Sequence, residues 1–146
     1  MGHALEEVYR VLTTSGTLVD LRPNFPAHER NRRRARQQIY CVGNGEEIPA
    51  GTLVRNLSGF RFTDRLVAGM IRRSVFTLET RKTFRFRYYH RDLASFDLFR
   101  AIRWDKAAMT TADRRRLEQT VRAHADMQVR VDTPMQLNIL RKEEKS

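Results

Sequence analysis

Residues 3–23 join an amphipathic helix to an apolar strand through a four-residue stop. Ala4, Leu5, Val8, Tyr9, Val11 and Leu12 fall on one helical stripe. Glu6 and Arg10 sit four apart on the other face, in the favourable order for an ion pair. Thr13-Thr14-Ser15-Gly16 breaks the helix, and Gly16 is suited to the left-handed conformation that ends one. Thr17-Leu18-Val19-Asp20-Leu21 then reads as a short, mostly apolar strand stopped by Pro23. A nearly unbroken apolar strand is usually covered on both faces, as in a parallel sheet. Helix, stop and buried strand make half of a doubly wound α/β unit. That arrangement is ordinary inside such a domain and unusual as its beginning.

The remaining chain continues the α/β pattern. The charged part of PAHERNRRRARQQIYCVGNGEEIPAGTLVRN fits a helical turn or two, or an exposed loop. Residues 38–42 and 52–55 read as short strands around the turn-rich GNGEEIPAG. Thr63 or Asp64 caps the next helix, with Leu66, Val67, Met70 and Ile71 as its stripe. FTLETRKTFRFRYYH reads as a long strand, with Phe84, Phe86 and Tyr88 opposite Arg85, Arg87 and Tyr89. Asp92 is placed to cap a helix that turns Leu93, Phe96 and Phe99 inward and runs to Trp104. Thr110 and Asp113 make a capping-box-like start to another, striped by Leu117, Val121 and Ala125. In MQVRVDTPMQLNIL, Val129, Val131, Met135, Leu137 and Ile139 alternate with Gln128, Arg130, Gln136 and Asn138. Pro134 cannot donate to a ladder and marks a bulge, a bend or a stretch of edge. The tail KEEKS is expected to fray.

Composition narrows the function classes. No apolar run approaches the ~20 residues that span a bilayer, and no secretory signal is visible, so no membrane partner is expected. The single cysteine, Cys41, excludes an internal disulfide and reads as a small buried residue, and a cytoplasmic protein is expected. The net charge of +11 would attract polyanions at low salt. Arginine carries nearly all of it, and a GC-rich genome writes arginine at solvated positions regardless of function. The histidines at 3, 28, 90 and 124 are scattered, with no zinc spacing. No HExxH, GxSxG, P-loop or glycine-rich strand-to-helix turn occurs, so the chain holds no self-sufficient active site.

The segment ALEEVYRVLTTSGTLVDLRP resembles the late part of class I S-adenosylmethionine-dependent methyltransferases. There a helix ending in RVL and a short glycine-containing turn lead into the fifth strand. Thr14 and Ser15 stand where that turn usually has proline and its first glycine. FRFRYYHRDLASFDLFRAIRW resembles the sixth strand, a helix and a tryptophan of the branch that methylates small molecules, and MQVRVDTPMQLNILRK the seventh strand. The resemblance covers nearly all of this chain but only the second half of the family's domain. It implies an α/β fold class, the C-terminal half of a Rossmann-like methyltransferase fold, with strands five, six and seven and their covering helices. Residues 1–146 would form a single partial domain, its N-terminal cofactor-binding half absent. By the resemblance, four further strands, the glycine-rich cofactor loop and an acidic residue for the cofactor's ribose would lie upstream.

Alone, such a half is expected neither to bind S-adenosylmethionine nor to transfer methyl. The cofactor enters only once an N-terminal half completes the domain. The family places the fifth strand between the fourth and the seventh, so residues 17–21 would be an exposed apolar edge, a template for pairing. The expected partner is a polypeptide supplying the missing strands or a second copy of the chain, with a small-molecule methyl acceptor if active. The candidate substrate-binding residues are Arg22, just past the carboxyl end of the fifth strand, and Tyr88, Tyr89 and Trp104 as pocket walls. A solvated strand end and core packing are their plainer alternatives. A half-domain that lends its edge to an intact enzyme is a third possibility. The runner-up is a small basic nucleic-acid-binding or adaptor protein. For it speak HERNRRRARQQ and the arginine-aromatic alternation of residues 84–91. Against it, Phe84 and Phe86 would pack under a helix, leaving little platform for stacking, so no more than non-specific attraction is expected.

Overall fold

The computed structural model describes residues 2–24, 34–56, 58–104 and 107–143. In chain order the elements are α1 (Gly2–Val11), β1 (Thr17–Pro23), β2 (Arg34–Gly43), β3 (Glu46–Asn56), α2 (Ser58–Arg72), β4 (Phe76–His90), α3 (Leu93–Arg103), α4 (Thr111–Ala123) and β5 (Gln128–Lys142). The architecture is mixed α/β. Strands pair in the order β1-β5-β2-β3, and β4 also pairs with β5. The pairings of β1 with β5, β5 with β2 and β2 with β3 are all antiparallel. Contacts divide the chain into two units, residues 1–25, 57–84 and 135–146, and residues 26–56 and 85–134.

In the first unit α1 and α2 pack on one face of β1, β5 and β4. Val67, Met70, Phe76 and Leu140 are buried there, ringed by Leu5, Tyr9, Leu12, Leu18, Ile71, Val75 and Leu78. The register pairs Leu18 with Leu140, Asp20 with Asn138 and Arg22 with Gln136, so even-numbered residues face this core. Contacts climb β4 as they descend β5, which makes that pair antiparallel too. The Glu143 amide donates to Val75 O, Arg141 bridges Glu79, and Arg81 donates to Asn138. Lys142 Nζ donates to Tyr9 O at 2.8 Å and Leu12 O at 2.6 Å, satisfying carbonyls that the end of α1 leaves open.

The second unit is built on the β2–β3 hairpin, closed by Asn44 (φ 51°) and Gly45 (φ 78°) in the left-handed pair that a two-residue hairpin turn needs. α3 and α4 cover one sheet face. Ile39, Cys41, Ala50, Leu53, Phe96, Trp104, Leu117, Met127, Val129 and Val131 form the core between them. Both helix starts follow their local chemistry. Asp92 Oδ1 accepts from Ser95 N at 2.7 Å while the Asp92 amide donates to Ser95 Oγ at 3.1 Å. Thr110 Oγ1 accepts from Asp113 N at 3.0 Å.

Several expectations are corrected. β1 lies in antiparallel rather than parallel pairing, and it is not covered on both faces: Val19 and Leu21 are 60% and 56% exposed. Ser15, not Gly16, takes the left-handed conformation after α1. Gly16 is needed for close approach instead, since a Cβ there would meet Thr13 O at 2.7 Å. Val11 is exposed rather than part of the helical seam. β3 runs through Pro49 and Gly51, which pair with Tyr40 and Ile39, because a register shift between Ile39 and Tyr40 leaves Ala50 as the extra residue. α2 starts at Ser58, ahead of Thr63 and Asp64, and Ala125 falls past the end of α4. Phe84 and Phe86 are 41% and 44% exposed rather than packed under a helix. In β5, Val129 and Val131 are buried in one unit but Gln136, Asn138 and Leu140 in the other, so alternation changes phase around Pro134. The charged stretch of residues 25–33 and the last three residues lie outside the described residues.

Candidate functional site

Of the four candidate residues, Arg22 belongs to the first unit and Tyr88, Tyr89 and Trp104 to the second. Arg22 is 5% exposed near the end of β1. Its Nη2 lies 2.9 Å from Asp64 Oδ1 and 3.3 Å from Asp20 Oδ2. Asp20 also accepts from Asn138 Nδ2 at 2.7 Å. Asn138 Oδ1 in turn accepts from Arg81 Nε at 3.0 Å and Gln136 Nε2 at 3.2 Å. Buried Asn138 thereby spends its capacity inside the network. Arg22 does not: Nε and Nη1 are buried with no hydrogen-bond partner among the described residues. Two unsatisfied donors on a buried guanidinium are costly, and an incoming carbonyl, carboxylate or phosphate oxygen would relieve them. The sequence singled out Arg22 by its place at a strand end. It missed Asp64, which read as a candidate helix cap, and Arg81, Gln136 and Asn138, which read as ordinary polar positions of strands.

Tyr88 and Trp104 come together, their ring centroids 5.1 Å apart, with Phe99 within 5.4 Å of Tyr88 and 4.9 Å of Trp104. The Arg55 guanidinium stacks over Trp104 at 4.9 Å, and burial pushes it below its usual pKa. These aromatics seat α3 on the sheet. His90 sits beside Phe96 and Phe99 at 5.5 and 4.9 Å, with Nε2 buried and without a hydrogen-bond partner among the described residues, and burial lowers its pKa. Tyr89 alternates to the opposite sheet face and is 52% exposed.

That opposite face carries a second polar arrangement the sequence did not flag. Buried Arg130 holds Asp132 through Nε–Oδ1 at 2.7 Å and Nη2–Oδ2 at 3.2 Å, and holds Glu47 through Nη1 and Nη2. Its guanidinium lies 4.7 Å over the Tyr40 ring. The Arg130 hydrogen bonds keep the Glu47 carboxyl below its usual range. Beside this group Arg36, Gln38 and Tyr40 of β2, Arg85 of β4, and Asp132 and Pro134 of β5 line a cleft of about 100 Å³.

Among the described residues no group of three or more His, Cys, Asp or Glu could hold a metal ion. Cys41 is buried and its thiol is pushed up by desolvation, away from nucleophilic use. No helix among the described residues is long and apolar enough to cross a membrane. The chain matches no family model, no curated protein and no solved structure.

Proposed function

We propose that this chain carries the C-terminal half of a class I methyltransferase-like fold, completed at β1 by a strand-bearing segment from elsewhere. The observation that carries the reading is the state of β1. Among the described residues it pairs with one strand only, β5, and presents Val19 and Leu21 to solvent on the face away from α1 and α2. A free edge beside an uncovered apolar face is where another strand and a covering helix would dock. β5, the counterpart of the seventh strand, is the neighbour that the resemblance assigns to β1. Antiparallel pairing with β5 departs from an all-parallel sheet, and mixed sheets are common among large doubly wound folds.

The chain's own residues do not fit S-adenosylmethionine. Gly16 precedes β1, Gly43 and Gly45 belong to the hairpin, and Gly51 lies within β3. Gly59 and Gly69 lie within α2. None of these makes a glycine-rich turn that follows a strand and opens a helix onto a ligand. This half would contribute substrate contacts instead. Arg22, with two unspent donors, would orient an acceptor through an oxygen, and alignment is most of what a protein supplies to a direct methyl displacement.

Sedimentation velocity tests the reading. The chain should self-associate as concentration rises, and Val19→Lys/Leu21→Lys should be monomeric throughout. A wild-type chain that stays monomeric with β1 amides strongly protected from hydrogen exchange would overturn it. So would S-adenosylmethionine binding to the chain alone in equilibrium dialysis.

A further inference from the structure

We propose that the sheet face of the second unit opposite α3 and α4 binds single-stranded nucleic acid. Arg36 and Arg85 would hold a backbone phosphate in their cleft, and Tyr89 would stack a neighbouring base. This does not rest on the methyltransferase reading. The two basic stretches singled out in the sequence, residues 28–38 and 84–91, contribute one arginine each to a single cleft. Arg36 and Arg85 are exposed, and neither makes an ion pair among the described residues. The two carboxylates of this face, Glu47 and Asp132, are both engaged by Arg130, and Arg87 adds its charge near Glu47. Arg36, Arg85, Arg87 and Arg130 therefore outnumber the two carboxylates on this face and leave it net positive.

Size and shape favour a strand over a free nucleotide. A cleft of about 100 Å³ is well below the roughly 300–1,000 Å³ of small-molecule pockets and suits one phosphate group. The rest of the ligand must lie along the sheet. Arg85, Arg87 and Tyr89 follow one another on β4 at about 6.7 Å per alternate residue, so each meets a different part of an extended strand. Arginines interleaved with an exposed aromatic ring are the chemistry of sequence-tolerant single-strand binding. Tyr89 can stack only on a base that is free of a duplex stack, which an unpaired strand offers.

Fluorescence anisotropy of the full chain with labelled oligo(dT) of about 20 nucleotides, long enough to span a typical single-strand site, reads the proposal. Arg36→Gln/Arg85→Gln should weaken binding about tenfold or more and reduce the slope of log affinity on log salt by roughly 1.4. Arg116→Gln/Arg122→Gln on α4 removes the same charge and should change affinity less than about twofold, as expected of charges that touch no phosphate. Tyr89→Ala should cost about fivefold or more, and Tyr89→Phe should restore most of it. A duplex of the same length should bind weakly. Equal losses from the two arginine pairs, no loss from Tyr89→Ala, or equal affinity for duplex would each overturn the proposal. Ultraviolet crosslinking of the unsubstituted chain gives an independent reading. Crosslinks on the peptide containing Tyr89 are expected, and crosslinks confined to other peptides would count against it.

Discussion

Arg130→Met isolates the strongest charge arrangement in the second unit. Methionine keeps much of the arginine stem and its contact with Tyr40, and removes the guanidinium. Glu47 is half exposed and recovers water when its partner is lost. Asp132, 4% exposed and bound through both oxygens to Arg130, does not. Stranding one member of a buried pair costs about 3–5 kcal/mol, a large share of the roughly 5–15 kcal/mol that holds a domain together. The melting temperature should fall by roughly 10 to 20 °C. Replacing both members by apolar residues is often neutral. Arg130→Met/Asp132→Leu should therefore regain most of the loss, with a coupling energy of about 2 kcal/mol or more. Trp104, the chain's one tryptophan, lies in the same unit and reports its urea unfolding. A single-variant loss below about 1 kcal/mol, typical of exposed pairs, would refute the reasoning. So would two substitutions whose costs simply add.

Two further outcomes follow from the same unit. Burial beside Phe96 and Phe99 lowers the His90 pKa from 6.5, so the unfolded chain takes up that proton first as the pH falls. Stability from this group is complete above that value and is lost as the pH drops toward the lowered folded one. Urea midpoints should decline on acidification across this window, and His90→Phe should flatten the decline. Gly51 sits at φ 153°, and a Cβ there would come within 3.2 Å of Asp113 Cβ. Gly51→Ala should cost about 1–3 kcal/mol by thermal melting; an unchanged melt would show that the β3 backbone relaxes freely.

Local chemistry was the legible part of this chain. Asp92 with Ser95 and Thr110 with Asp113 are satisfied within one turn, so their caps need nothing from distant residues. The Leu5, Tyr9 and Leu12 stripe likewise followed from spacing. Strand direction did not, because an apolar run such as residues 17–21 carries no mark of its partner's polarity. The site networks were hidden for a related reason. Asn138 is buried because Asp20 and Arg81, far off in sequence, share its hydrogen bonds, and Gln136 joins the network by donating to Asn138. Pro49 and Gly51 read as loop residues because their strand role depends on a bulge opposite Tyr40.

The bond from Lys142 to the last carbonyls of α1, with the Thr17–Arg141 pairing beside it, sets an order of events during synthesis. α1 and β1 leave the ribosome more than 120 positions ahead of the residues that close them. At ordinary translation speeds of about 5–20 residues per second, β1 spends roughly 6 to 25 s with both edges unpaired. Contacts so distant along the chain also make the final docking slow. The nascent chain therefore passes through a long interval in which a chaperone or a second strand can claim the edge before β5 does.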